Sequence, residues 1–195
     1  MGTTKLIRSA ALAAVVAVVA VVGVTSASGA GSGATALSSQ LAAAHLATAK
    51  YANNLALAKH DGYGIITRMI PNMGYHYLNP NVKGFDVRKP AILVYEHRGT
   101  RWQLGAIEWV FTKKPAKPPL PGATYGSFGA GCHYVDGTFV PAETQDACPT
   151  KSPQTGAKFN FWHPLLITLH VWLWYPNPMG LYASTNPLVA PFNGG

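Results

Sequence analysis

Three features of the sequence predict an α+β domain. A single Ala/Leu-rich stretch, residues 38–59, carries helical periodicity. The chain after it breaks into short apolar runs bounded by Gly, Pro and Asn turn signals. Charged residues make up only 11% of the chain, against about 25% in an average domain, while Gly and Pro number 20 and 15, a composition closer to β-rich than to helical proteins. The expected architecture is an N-terminal helix packed on an antiparallel sheet that curls into a partly closed β-barrel, cupin-like or calycin-like in outline.

The first residues read as a targeting segment. Lys5 and Arg8 precede a run at 10–24 without a polar side chain, and small residues follow up to Ala30. This is the pattern of a secretory signal peptide over residues 1–30, cleaved after Ala27 or Ala30. The run is shorter than the roughly 20 residues a spanning helix needs, so no stable membrane insertion is expected after cleavage. Residues 31–36 read as a flexible tether and 37–195 as one globular domain, secreted or otherwise extracytoplasmic. Export makes Cys132 and Cys148, the only cysteines, an expected disulfide. A metal site built on them lacks a second ligand pair at useful spacing.

The elements follow in order. Leu37, Leu41, Ala44, Thr48, Tyr51, Leu55 and Ala58 recur at three- and four-residue spacing, which gives the helix its packing stripe, and Asp61-Gly62 ends it. His45 and His60 lie beside or beyond the stripe and read as solvated. Residues 63–70 fit a strand or a loop. Residues 73–80 form a short extended piece stopped at Asn79-Pro80. Residues 91–97 and 102–111 are two strands of a hairpin turned at Arg98-Gly99-Thr100-Arg101. Three lysines (Lys113, Lys114, Lys117) and four prolines make 112–121 a stiff, exposed basic loop. Residues 122–156 read as loop around the disulfide, with a short strand at 137–140. The final strand spans Leu165 to Trp174. Proline-punctuated coil after Tyr175 is expected to wrap the domain.

That last strand organises the site. Leu165, Ile167, Leu169, Val171 and Leu173 alternate with Thr168, His170, Trp172 and Trp174, so strand geometry sends an imidazole and two indoles to the face away from the aliphatic core. His76, Glu96 and Glu108 also interrupt or end apolar runs, where ionisable groups occur only if paired, hydrogen-bonded or metal-bound. A two-residue turn pairs Glu96 with Gln103 and puts Glu108 on the opposite face. A three-residue loop leaves the two acids about 13 Å apart. One ion therefore cannot take both, and Glu108 is the stronger ligand. His76, Glu108 and His170 are the candidate metal ligands, for Cu, Zn, Mn or Fe. Tyr75, Tyr77, Glu96, Trp172 and Trp174 are the candidate ligand-binding residues. His163 is a further candidate ligand, and His97 and His133 are expected to be exposed. The same residues also fit a purely structural polar network or acid–base catalysis without metal.

The pieces Met73-Gly-Tyr-His-Tyr-Leu-Asn-Pro80, Leu104-Gly-Ala-Ile-Glu-Trp109 and Leu169-His-Val-Trp-Leu-Trp174, with Asn177-Pro178, resemble an uncharacterised family of secreted bacterial, actinobacterial-type proteins. The resemblance brings no activity with it. It implies an intact mature domain and a site at these motifs.

The functional expectation is an exported protein that binds a small molecule or a metal ion in a His/Glu/Trp-lined cavity. Whether it is an enzyme is left open. A metal-dependent oxidoreductase or hydrolase would use the same residues, and a cell-wall or polysaccharide-binding module would use an exposed tryptophan pair. The net charge of +8 and the lysine loop suit an anionic cell-wall polymer as partner. Nucleic acid is not expected, since no recognition motif or clustered basic helix accompanies the charge.

Overall fold

The computed structural model describes residue 1 and residues 28–192. The segment read as a signal peptide thus lies outside the described residues except for Met1 and its last three positions. Helix α1 runs over Ser28–Thr48. Residues 31–36, expected to be a tether, are part of it. The Thr35 hydroxyl donates to the Gly31 carbonyl and the Ser39 hydroxyl to the Thr35 carbonyl, so two polar side chains fold back onto the helix.

The expected stripe is the buried face: Ala44, Thr48, Tyr51, Leu55 and Ala58 are all buried. The helix itself is not continuous to 59. A 3-10 turn at Ala49–Tyr51 precedes a short second helix α2, Leu55–His60. Asn54 explains the break, because its side chain accepts the Leu57 N–H at 2.9 Å and so caps a new helix. The carbonyls released at the break dock on the sheet. The Tyr95 hydroxyl donates to Tyr51 O at 2.8 Å, and Leu104 N–H donates to Ala52 O at 2.7 Å.

The strands are β1 Gly64–Ile70, β2 Gly74–Leu78, β3 Ile92–Arg98, β4 Arg101–Phe111, β5 Gly126–Phe128, β6 Gly131–Tyr134, β7 Phe139–Pro141, β8 Phe159–His163 and β9 Leu166–Val171. Six form one antiparallel sheet in the order β1-β2-β3-β4-β9-β5, curled into a half-barrel whose ends do not join. The other three form a small sheet, β7-β6-β8. Pro164 separates β8 from β9, so the run into the final strand is two strands in two sheets. The Cys132–Cys148 disulfide is formed and ties β6 to the turn that follows β7.

One face of the large sheet packs Tyr77, Leu93, Tyr95, Leu104, Ile107, Trp109, Leu169 and Val171 against the helices. The opposite face carries Ile66, Ile92, Val94, Ala106 and Trp172, closed over by Val189. Val189 belongs to a 3-10 segment, Pro187–Phe192, laid along β3. The basic loop keeps its three lysines exposed, yet it is anchored: Leu120 is fully buried and Pro119 O accepts from Gln40. Among the described residues no helix is long and apolar enough to cross a membrane.

Candidate metal centre

Ladder register brings the three candidate ligands together. Directly paired residues in an antiparallel ladder share a face. Ile92 pairs with Glu108, and Glu108 pairs with His170, across β3, β4 and β9. His76 on β2 pairs with Val94, which pairs with Ala106, one row along. All three ionisable side chains thus emerge on the face away from the helices. One ligand atom from each of His76, Glu108 and His170 lies within 4.8 Å of the others, and all three residues are buried.

Thr67 supports His76. Its Oγ1 lies 2.8 Å from His76 Nδ1 and also accepts the His76 backbone N–H at 3.2 Å. This fixes the ring and leaves Nε2 facing Glu108 Oε2 at 3.8 Å, beyond hydrogen-bond length. His170 is less satisfied still: both of its nitrogens are buried and neither has a hydrogen-bond partner. Its ring lies against Trp172, centroids 4.8 Å apart.

Burial sets the charges. It pushes the imidazoles down, His76 to about 4 and His170 to about 3, the latter also through the neighbouring His76. It pushes the Glu108 carboxyl up to about 8. The His76–Glu108 contact is therefore a pairing of neutral groups near pH 7 and not an ion pair. Neutral imidazoles are the ligating form, and the carboxyl becomes a ligand by giving up its proton.

The ligand-binding candidates distribute differently from expectation. Tyr75 and Tyr77 point to the helix side: Tyr77 is 2% exposed in the main core and packs on Tyr95 and Trp102, while Tyr75 packs on Trp102 and His97. Alternation along β2 requires this, since His76 between them faces the other way. Trp172 does share the His170 face, but it is buried, with Nε1–H donating to Ala183 O at 2.7 Å. Trp174 does not share it. The strand ends at Val171, and Trp174 and Tyr175 both donate their backbone N–H to Gly105 O. The Trp174 ring crosses to the helices, stacks on His45 at 3.8 Å and donates to Thr48 Oγ1 at 2.9 Å. No exposed pair of coplanar indoles results.

Glu96 corrects the parity argument. The two-residue turn is present, with Arg98 opposite Arg101 and Glu96 opposite Gln103. Yet Val94 pairs with Ala106 and Tyr95 with Leu104, so Gly105 is an extra residue in β4. The bulge reverses the alternation beyond it and puts Glu96 and Glu108 on one face. Glu96 stays outside the cluster, because Glu108 pairs with Ile92, four residues from Glu96 along β3. Both Glu96 carboxyl oxygens are buried without partners, and burial raises the group to about 8.

His163 is not in the cluster either. It stands on β8 beside His133, which is fully buried and not exposed as expected. Thr67 is the residue that sequence reasoning missed. The sequence marks it only as a threonine in a segment that fits strand or loop, and the β1–β2 pairing is what sets it beside His76. Comparison with protein-family models, with curated proteins and with solved structures brings no match.

Proposed function

We propose that this protein binds a transition-metal ion through His76, Glu108 and His170. The observation that carries this reading is His170, an imidazole whose two nitrogens are both buried and unpaired next to a second imidazole and a carboxyl. A structural polar network would satisfy its members, since orphaned buried groups cost about 1–3 kcal/mol each. A metal ion takes the lone pair of one His170 nitrogen, with those of His76 Nε2 and a Glu108 oxygen, and leaves only the second His170 nitrogen, an N–H, without a partner. Two imidazoles and one carboxylate suit Zn, Fe, Mn or Cu, and three protein donors leave a coordination position for water or another ligand. Thr67 holds the His76 ring while its Nε2 is engaged, as hydrogen-bonded partners of metal-ligating histidines do. The disulfide fits an extracytoplasmic site of action.

The test is metal analysis of protein purified without a histidine tag, with melting temperatures recorded with and without chelator. Wild type should carry one equivalent of metal and melt lower once it is stripped. His170→Ala should carry none and be insensitive to chelator. Absence of metal from wild type after incubation with each of the four ions, or a melting-temperature gap between wild type and His170→Ala that is the same in metal-loaded and chelator-treated protein, overturns the proposal.

A further inference from the structure

A cavity of about 820 Å³ lies between the two sheets, beside the metal centre and separate from it. Its wall is mainly apolar. Leu78, Ile92, Val110, Phe128 and Leu166 come from the large sheet and Phe161 from the small one. Ladder register places this wall: Leu78 pairs with Ile92 and Ile92 with Glu108, so these side chains share the face that carries the metal centre. His76, Glu108 and His170 are not among the lining residues. The volume lies within the range of about 300–1,000 Å³ that small-molecule sites occupy.

Formal charge in the lining is confined to one place and one sign. Lys83 and Lys113 are its only Lys, Arg, Asp or Glu residues, and both are exposed. Lys83 follows β2 and Lys113 follows β4. These two strands run in the same direction on either side of β3, so both lysines leave the sheet at the same end. Among the described residues neither lysine is in an ion pair. Asp61 adjoins Gly62 of the lining, but its carboxylate is taken by Lys50 at 2.7 Å and by the Tyr51 hydroxyl at 2.8 Å. The long lysine stems can lie along apolar surface while the ammonium groups stay in water. An apolar chamber with two uncompensated cations at its mouth complements an apolar molecule with an anionic head.

We propose that this cavity binds a monocarboxylate with a hydrocarbon body, the body between the two sheets and the carboxylate at Lys83 and Lys113. The binding does not require the metal ion. Its test is therefore run on the full chain in chelator, and its failure would leave the metal reading untouched.

Decanoate and decan-1-ol share one chain and differ in the head. Calorimetry at low ionic strength should find decanoate bound about fivefold more tightly, as two exposed charge contacts would give. Added salt should narrow that gap by weakening decanoate alone. The double variant Lys83→Met, Lys113→Met keeps both apolar stems and should bring the ratio toward one while decan-1-ol still binds. Lys114→Met, in the same loop as Lys113 but outside the lining, should leave the ratio unchanged. Methyl spectra of wild type locate the site: Leu78, Ile92 and Val110 should move on addition of decanoate, and Leu93 and Leu104 on the helix side should not. Equal binding of the two probes, binding of neither, a preference that survives the double substitution or is lost as fully in Lys114→Met, methyl shifts confined to the helix side, or binding to anionic phospholipid vesicles with none to monomeric decanoate overturns the proposal.

Discussion

Thr67 Oγ1 contacts His76 twice, at the ring Nδ1 and at the backbone N–H, so a β1 hydroxyl fixes both the position and the orientation of a β2 imidazole. Thr67→Val keeps the shape and removes both contacts. Metal affinity should fall tenfold to a hundredfold, the usual effect of losing a partner behind a ligating histidine. Thr67→Ser should retain most of it. Competitive titration against a coloured chelator measures both variants, and unchanged affinity in Thr67→Val would remove Thr67 from the centre.

Metal uptake should depend on pH through Glu108 alone over most of the accessible range. The two histidines are pushed to about 4 and about 3, so they do not hold protons above pH 5. Glu108 is protonated up to about 8 and must lose that proton to coordinate. Affinity should therefore rise about tenfold per pH unit from 5 to 8 and level off above. A flat profile across that range would show that the carboxyl is not a ligand.

The metal-free protein should be most stable near pH 6.5. His76, His133 and His170 drop from an ordinary 6.5 to about 4 or below, so the unfolded chain binds more protons than the folded one between those values and stability climbs with pH there. Glu96 and Glu108 rise from 4.5 to about 8, so the folded chain binds more protons in that window and stability falls with pH. These three histidines, joined by His163, which burial also lowers, outweigh two carboxyls below 6.5, and the carboxyls dominate between 6.5 and 8. Melting curves in chelator across pH 5–9 measure this. Glu96→Gln and Glu108→Gln should each flatten the alkaline fall by about half, from one titrating group removed of two.

Two glycines that contact Glu96 should respond unequally to alanine. Gly74 has φ +109, and a Cβ there would lie 2.6 Å from both Glu96 Oε1 and the Tyr95 backbone oxygen. Gly74→Ala should cost more than about 2 kcal/mol, from left-handed strain and a clash with backbone that cannot yield. At Gly105 the nearest atom to a Cβ is Glu96 Oε1 at 3.4 Å, in ordinary contact, so Gly105→Ala should cost under about 1 kcal/mol. Chemical denaturation separates the two, and equal losses would contradict the packing around Glu96.

Much of this site was legible because alternation and turn chemistry are local. His76, Glu108 and His170 were singled out as polar interruptions of apolar strands, and Arg98-Gly-Thr-Arg101 set the hairpin turn that the structure has. Strict alternation between Glu96 and Glu108 breaks at Gly105, where one glycine inside a strand marks a bulge that reverses every face beyond it. Trp174 failed because strand alternation was carried past Val171, where the backbone turns to bond the bulge carbonyl. The helix break at Asn54 depends on a capping residue whose preference competes with a strong Ala/Leu pattern. The burial of His133 was beyond local reasoning, since it is set by which loops fold into the second sheet.

The half-barrel leaves two strand edges, and each is blunted. The β1 backbone is occupied from the side, Arg68 N–H donating to Gly137 O at 2.8 Å, and Arg68 pairs with Asp136 beside it. At the other end β5 is three residues long. A neighbouring chain thus finds no extended ladder to continue, and the open sheet avoids the edge-to-edge addition through which β-rich proteins aggregate.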